Sequence, residues 1–132
     1  MADAALARAI EALPGLVNAD APLVRRGRFV TIELRIELGD APYQIAIEHG
    51  RIERVERGPF VMRAWRFAVR GGEAAWRQFW LPCPPPHHHD IFALAKSGAF
   101  RIEGDLHPLM ANLFYFKDVL AAPRRLARGG AA

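Results

Sequence analysis

The strict alternation of apolar and polar residues between Phe29 and Leu38 constrains the fold of this chain more than any other feature. Every second position carries an apolar side chain: Val30, Ile32, Leu34, Ile36 and Leu38. Threonine, glutamate and arginine fill the positions between them, so the pattern predicts a β-strand with one buried face. A single strand of this kind is not stable alone, and the rest of the chain must supply its partners.

Four further segments carry strand patterns, at 43–47, 51–56, 64–70 and 100–103. Gly39 to Pro42 and the pair His49-Gly50 separate the first three strands, which predicts an antiparallel meander. The third strand is irregular because Ile52 and Val55 have opposite parity. This irregularity favours a bulge or a position at the edge of the sheet.

Helices are predicted at four places bounded by caps and breakers: Asp3 to Pro14-Gly15, after Gly71-Gly72, Asp90 to Gly98, and Gly104-Asp105 to about Ala122. Hairpin-linked strands with helices gathered mostly afterwards indicate an α+β domain. We expect a five-stranded, mostly antiparallel sheet that is covered on one face by helices. Since nearly every strand alternates, only one sheet face is expected to be buried.

Length and composition indicate a single domain. The 132 residues suffice for one apolar core, expected over about 25–122, with an N-terminal helix and linker at 1–24 and a flexible tail at 123–132. No apolar run approaches the ~20 residues of a membrane-spanning helix. The single cysteine, Cys83, cannot form an internal disulfide. We therefore expect a cytoplasmic protein, and the alanine-rich, arginine-over-lysine usage is typical of a GC-rich bacterial genome.

The charge pattern argues against nucleic acid as a partner. The formal net charge is +4, and the arginines are spread among glutamates instead of forming a basic stripe with aromatic platforms. Only Arg124, Arg125 and Arg128 lie close together, near the end of the chain. This cluster predicts at most a transient contact with an anionic membrane.

The last helix is apolar around most of its circumference. Its apolar residues include Leu106, Leu109, Met110, Leu113, Phe114 and Phe116. Such a helix is either buried on several sides or lines an apolar space. Two interpretations follow: a ligand tunnel between this helix and the sheet, or a plain core helix with a dimer interface on its other side.

Aromatic residues predict the opposite wall of such a tunnel. Trp76, Phe79 and Trp80 share one face of the helix after Gly71-Gly72, and Phe92 lies in the short helix that follows. Aromatic residues at this spacing also form ordinary cores. Both interpretations are kept for these four residues.

The segment from Gly98 to Leu106 identifies a family. It reads GAFRIEGDL, it follows a tryptophan-containing helix and a short helix, and it leads into the apolar last helix. This arrangement resembles the C-terminal half of the sterol carrier protein type 2 family, where a strand ending in a similar Gly-Asp step leads into the last helix. The meander is also similar in order and length, so the resemblance covers about 25–122. It implies an apolar cavity between the sheet and the C-terminal helix.

The resemblance implies a non-catalytic carrier that binds or transfers an apolar lipid: a fatty acyl, sterol-like or isoprenoid molecule. We expect no cofactor and no catalytic residue. The alternative is a structural module of the same fold that forms a homodimer or docks on a partner enzyme. The fold alone does not identify the ligand.

A proline- and histidine-rich stretch supplies the only metal-binding chemistry in the sequence. Cys83, His87, His89 and Asp90 are the candidate ligands. Their spacing matches no strong zinc pattern, and a solvated loop stiffened by proline is the favoured interpretation. A metal-dependent enzyme built on these residues is the third and least favoured hypothesis.

Overall fold

The computed structural model describes residues 4–129, with side chains described as far as Leu126. Five strands form one sheet: β1 Ile32–Leu38, β2 Ala41–Glu48, β3 Arg51–Arg57, β4 Phe67–Gly71 and β5 Phe100–Gly104. The described residues also form eight helices: α1 Ala4–Glu11, α2 Leu13–Asn18, α3 Ala21–Arg26, α4 Glu73–Phe79, α5 Ile91–Ser97, α6 His107–Ala111, α7 Leu113–Ala121 and α8 Arg124–Gly129. The predicted α+β class is confirmed.

The strand order is β3-β2-β1-β4-β5. The β1–β2, β2–β3 and β4–β5 pairs are antiparallel, whereas β1 and β4 are parallel. The sheet is therefore mostly antiparallel, as predicted. The irregular third strand lies at the edge of the sheet, and its register with β2 shifts between Ala46 and Ile47, so both expected features occur together.

The N-terminal region differs from the predicted single helix and linker. Pro14 and Gly15 do not end a helix; they lie in the first turn of α2, where proline needs no hydrogen-bonded N–H. Asp20 caps the next helix, because its side chain accepts a hydrogen bond from the Leu23 N–H at 3.2 Å. Val17 and Leu23 are buried, so these helices join the core. The predicted cap Asp3 lies outside the described residues.

The outer face of the sheet, opposite the helices, is partly buried, which corrects the expectation of one buried face. Residues 58–66, which we call the crossing segment, lie against this face. Phe60 stacks on Arg35, with the guanidinium carbon 4.5 Å from the ring centroid. The Gln44 side-chain amide donates to the Ala64 carbonyl at 2.8 Å. Arg35 is consequently only 9% exposed and Gln44 only 1%.

Arg35 is held in this buried position by neutral groups. Its Nε and Nη2 donate to the Gln44 side-chain oxygen at 3.0 and 2.8 Å. Burial lowers the pKa of the guanidinium, and the nearby Glu37 carboxylate opposes that effect. An arginine remains charged in this setting. The network thus fixes the crossing segment to β1 and β2.

Tyr115 fixes the last helices to the other end of the sheet. Its hydroxyl donates to the Gly50 carbonyl in the β2–β3 turn at 2.7 Å. Its ring lies directly against Gly27, where any side chain would collide with it. Burial raises the pKa of the Tyr115 phenol. One residue of α7 therefore contacts both the hairpin and the end of α3.

The described part of the predicted tail contains a helix. Residues 124–129 form α8. The Arg124 Nε donates to the Phe79 carbonyl at 2.8 Å, and Arg125 pairs with Asp20 at 3.2 Å. Within residues 4–129, no helix combines the length and apolar character needed to cross a membrane.

Replacing Gly27 with alanine is expected to destabilise the domain. The added methyl group would lie 2.2 Å from Cε1 of Tyr115, and overpacking of this kind costs ~1–3 kcal/mol. Gly15→Ala is the matched control, because nothing lies within 4 Å of its added methyl group. Urea denaturation measures the free energy of unfolding of both variants. Equal changes would contradict the assigned packing of Tyr115 on Gly27.

The domain is expected to lose stability above about pH 10, the ordinary pKa of tyrosine. The Tyr115 phenol ionises there in the unfolded chain, whereas its raised pKa keeps it protonated in the folded state. This stabilisation is fully present below about pH 10 and is lost as the pH rises towards the folded-state pKa. The free energy of unfolding, measured by urea denaturation, should therefore decline less steeply between about pH 9 and 11 in Tyr115→Phe than in the unmutated protein. The same decline in both proteins would contradict the assignment.

Candidate functional site

The predicted lipid-binding residues separate into two sets in the structure. Five are buried: Trp76, Phe79, Trp80, Leu109 and Phe116. The other five reach the surface: Phe92, Leu106, Met110, Leu113 and Phe114. The structure therefore divides the predicted site between the core and an external face of the helices.

The buried aromatic residues of α4 pack against the sheet and the last helices. The Trp76 ring centroid lies 4.4 Å from that of Phe100 and 4.8 Å from that of Trp80. The Trp76 indole N–H donates to the Glu37 carbonyl at 2.8 Å. The Trp80 indole N–H donates to the Leu120 carbonyl at 2.7 Å. Both indoles are thus fixed in position, and they join α4 to the sheet and to α7.

Leu106, Met110 and Phe114 follow one another at four-residue intervals and face solvent. Their exposed fractions are 36%, 55% and 72%. Residues four apart lie on one side of a helix, so Leu106 and Met110 share a side at α6, and Phe114 follows in α7. We call these three residues the apolar strip. Three exposed apolar side chains this close along the chain suit a binding face.

Two half-buried residues lie beside the last helices. Leu113 begins α7 next to the apolar strip. Phe92 projects from α5, and the Lys117 ammonium lies 5.7 Å from its ring centroid. Phe92 also packs against the core. Both residues are half-buried and lie between the core and the surface.

The last helix is broken, which corrects the prediction of one continuous helix to about Ala122. Asn112 separates α6 from α7, with φ −126° and ψ 42°. Its side-chain amide donates to the Pro108 carbonyl at 3.0 Å, and such local bonds compete with the helical pattern. The break lies between Met110 and Phe114, so the apolar strip extends over two helices.

Gly104 has the predicted structural role, whereas the N-cap of α6 is Leu106, one residue after the predicted cap Asp105. The Asp105 carboxylate accepts a hydrogen bond from the His107 N–H at 3.1 Å, at the start of α6. Gly104 has φ +103°, a conformation that favours glycine. Glu103 accepts hydrogen bonds from Arg70 and Arg101, each at 2.7 Å. Both carboxylates therefore have structural partners.

A surface pocket of about 270 Å³ lies beside the proline- and histidine-rich loop. Its lining residues are Phe79, His89, Asp90, Ile91, Lys117, Asp118, Ala121 and Arg124. Asp90 pairs with Lys117 at 3.0 Å, and Asp118 pairs with Arg26 at 2.7 Å. The charges around this pocket are therefore paired across elements, and they hold the loop against α7. No sequence pattern indicates this pocket, because its walls come from distant segments.

The candidate metal ligands do not converge. Asp90 caps α5 by accepting a hydrogen bond from the Phe92 N–H at 2.9 Å. His87, His89 and Cys83 are exposed. Among residues 4–129, no group of three or more histidine, cysteine, aspartate or glutamate side chains is arranged to hold a metal ion.

The sequence pattern predicts Tyr43 and Phe100 only as strand residues. In the structure, both side chains face the core. The sole signal in the sequence was strand parity, since Tyr43 alternates with Ile45 and Ile47. Phe100 forms part of the ring cluster around Trp76. Tyr43 is buried among apolar side chains.

The sequence matches no protein-family model and no curated protein, whereas solved structures share its fold. Sterol carrier protein 2 aligns with a TM-score of 0.70 at 11% identity, over 89% of this chain and 94% of that chain. The conserved hypothetical protein TT1886 of Thermus thermophilus aligns with a TM-score of 0.63 at 10% identity, over 88% and 86% of the two chains.

A third solved structure, the UbiJ-SCP2 ubiquinone synthesis protein, aligns with a TM-score of 0.53 at 15% identity, over 83% of this chain and 88% of that chain. All three alignments cover most of both chains. Sequence identities this low carry information about the fold alone. The chain has the fold of sterol carrier protein 2.

Proposed function

We propose that this protein reversibly binds an apolar lipid, a fatty acyl, sterol-like or isoprenoid molecule, and carries it without chemical change. Its fold is that of sterol carrier protein 2. Each methylene group that the ligand buries contributes ~0.8 kcal/mol to such binding. No catalytic residue or cofactor is needed. The cytoplasmic location stays a prediction.

The observation that carries the proposal is the exposure of the apolar strip. Phe114 and Met110 are more than half exposed on helices whose other side is in the core. Contact with a ligand would remove this surface from water at ~25 cal/mol per Å². We assign the strip, with Phe92 and Leu113, to the outer part of the lipid site.

The inner part of the proposed site is the buried set beneath α6 and α7. Leu109 and Phe116 belong to these helices, and Trp76, Phe79 and Trp80 lie at α4. These five residues belong to one apolar core cluster on the helical side of the sheet. Apolar walls with few polar groups are typical of sites for apolar small molecules.

A second candidate function rests on the same strip. An exposed apolar helix face also suits a homodimer or a docked partner enzyme. In that case Leu106, Met110 and Phe114 would contact protein and no lipid would bind. The two functions differ in what covers the strip.

The double variant Met110→Ser/Phe114→Ser is expected to lose lipid binding but not stability. Substitutions at such exposed sites change the free energy of unfolding by ~0.5 kcal/mol or less. We expect a fluorescent fatty-acid probe to bind about tenfold more weakly, a loss of ~1.4 kcal/mol. Fluorescence titration and urea denaturation measure the two quantities.

Val61→Ser/Met62→Ser is the control for this experiment. These side chains are 87% and 99% exposed, and they lie in the crossing segment on the other face of the sheet. The control should bind the probe like the unmutated protein. If both double variants bind the probe equally weakly, the assignment of the strip to the lipid site is wrong.

Native mass spectrometry of freshly purified protein is expected to show a chain with additional lipid mass. The carrier function requires an apolar ligand, which tends to accompany the protein through purification because its exposure to water is unfavourable. Delipidation followed by addition of a fatty acid should restore the added mass. A lipid-free dimer that takes up no fatty acid would instead support docking.

A further inference from the structure

Tyr43 is a polar residue in an apolar setting. Its side chain is 1% exposed. It lies on β2 opposite Ile36 of β1, so it points from the sheet into the core beneath the helices. Its hydroxyl is the one buried side-chain polar atom in the described part of the chain that has no hydrogen-bond partner.

The other buried aromatic polar groups show how unusual this is. The hydroxyl of Tyr115 and the indoles of Trp76 and Trp80 each donate to a backbone carbonyl. A buried hydroxyl without a partner is unfavourable, because its hydrogen bonds to water are lost and not replaced. Phenylalanine would fill the same space without that cost. The packing of the domain therefore does not explain the hydroxyl of Tyr43.

A cation lies next to this tyrosine. Arg57, at the end of β3, is the register partner of Tyr43, and its guanidinium carbon lies 5.9 Å from the ring centroid. Among the described residues, no carboxylate lies within ion-pair distance of Arg57, whereas Arg54 and Arg63 both pair with Glu56. Arg57 is exposed, so a surface cation lies beside the ring of a buried tyrosine.

We propose that Tyr43 and Arg57 bind the polar head group of the lipid, and that this head group is a carboxylate. The inference rests on the proposed lipid-binding function. The Tyr43 hydroxyl donates a hydrogen bond to a carboxylate oxygen, and the Arg57 guanidinium compensates its charge. The apolar neighbours Ile36 and Ile45 then contact the adjoining methylene groups. The ligand class is a long-chain fatty acid.

The test compares two fluorescent ligands that differ only in the head group, 12-(1-pyrenyl)dodecanoate and dodecylpyrene. Tyr43→Phe should weaken binding of the carboxylate about five- to tenfold and leave dodecylpyrene binding unchanged. Its melting temperature without ligand should equal or exceed that of the unmutated protein. A lower melting temperature with equal loss of both ligands would show a purely structural role and overturn the assignment.

The arginine is tested with a matched pair of variants on the same strand. Arg57→Gln should also weaken the carboxylate ligand about five- to tenfold. Arg51→Gln removes the same charge from the other end of β3 and should leave both affinities unchanged. If Arg51→Gln weakens the carboxylate as much as Arg57→Gln does, general electrostatic attraction explains the effect and the site is wrong.

The lipid-binding function and the head-group site can be overturned separately. If the unmutated protein binds neither pyrene ligand, the lipid-binding function fails and the head-group site fails with it. If it binds both ligands with equal affinity, and Tyr43→Phe and Arg57→Gln change neither, lipid binding stands and only the carboxylate site is overturned.

Discussion

The parallel pairing of β1 with β4 is the constraint on which the rest of the structure depends. The meander ends at β3, on the edge of the sheet, yet the next strand lies on the far side of β1. The chain must therefore pass over both β2 and β1 before β4 begins. The crossing segment makes this passage along the outer face, where Gln44 and Arg35 bind it. Without those contacts, the crossing segment would lie loosely on a half-polar surface.

This passage decides which side of the sheet is available for a ligand. The crossing segment covers the centre of the outer face, and the Arg70 contacts with Glu37 and Glu103 link β1, β4 and β5 there. The other face is left for the helices and for the large apolar side chains of the core. β4 and β5 place Phe67 and Phe100 under the helices, where Phe67 meets Phe116 with ring centroids 5.2 Å apart. The proposed apolar ligand would therefore lie on the helical side.

The alternation of apolar and polar residues predicted the strands well, but it predicted poorly which side chains are buried. Alternation and turn residues indicated all five strands, and Gly98 and Asp90 marked both ends of α5. Arg35 and Gln44 resembled solvent-facing residues, because nothing nearby in sequence indicates that residues 58–66 return to cover them. The same limit applies to the site: Met110 and Leu109 are neighbours of similar hydrophobicity, yet one is 55% exposed and the other 0%. Burial at such positions depends on distant packing.

α6 and α7 differ in how strongly they are held in the core. α7 buries Tyr115, Phe116, Val119 and Leu120, whereas the five residues of α6 bury only Leu109. The free energy of local opening rises with the apolar contacts that must be broken. The break at Asn112 separates α6 from α7 in the chain, and Tyr115 holds α7 on the Gly50 carbonyl. Under the proposed lipid-binding function, α6, which carries Met110 of the apolar strip, is the helix of the two that opens more easily for a ligand.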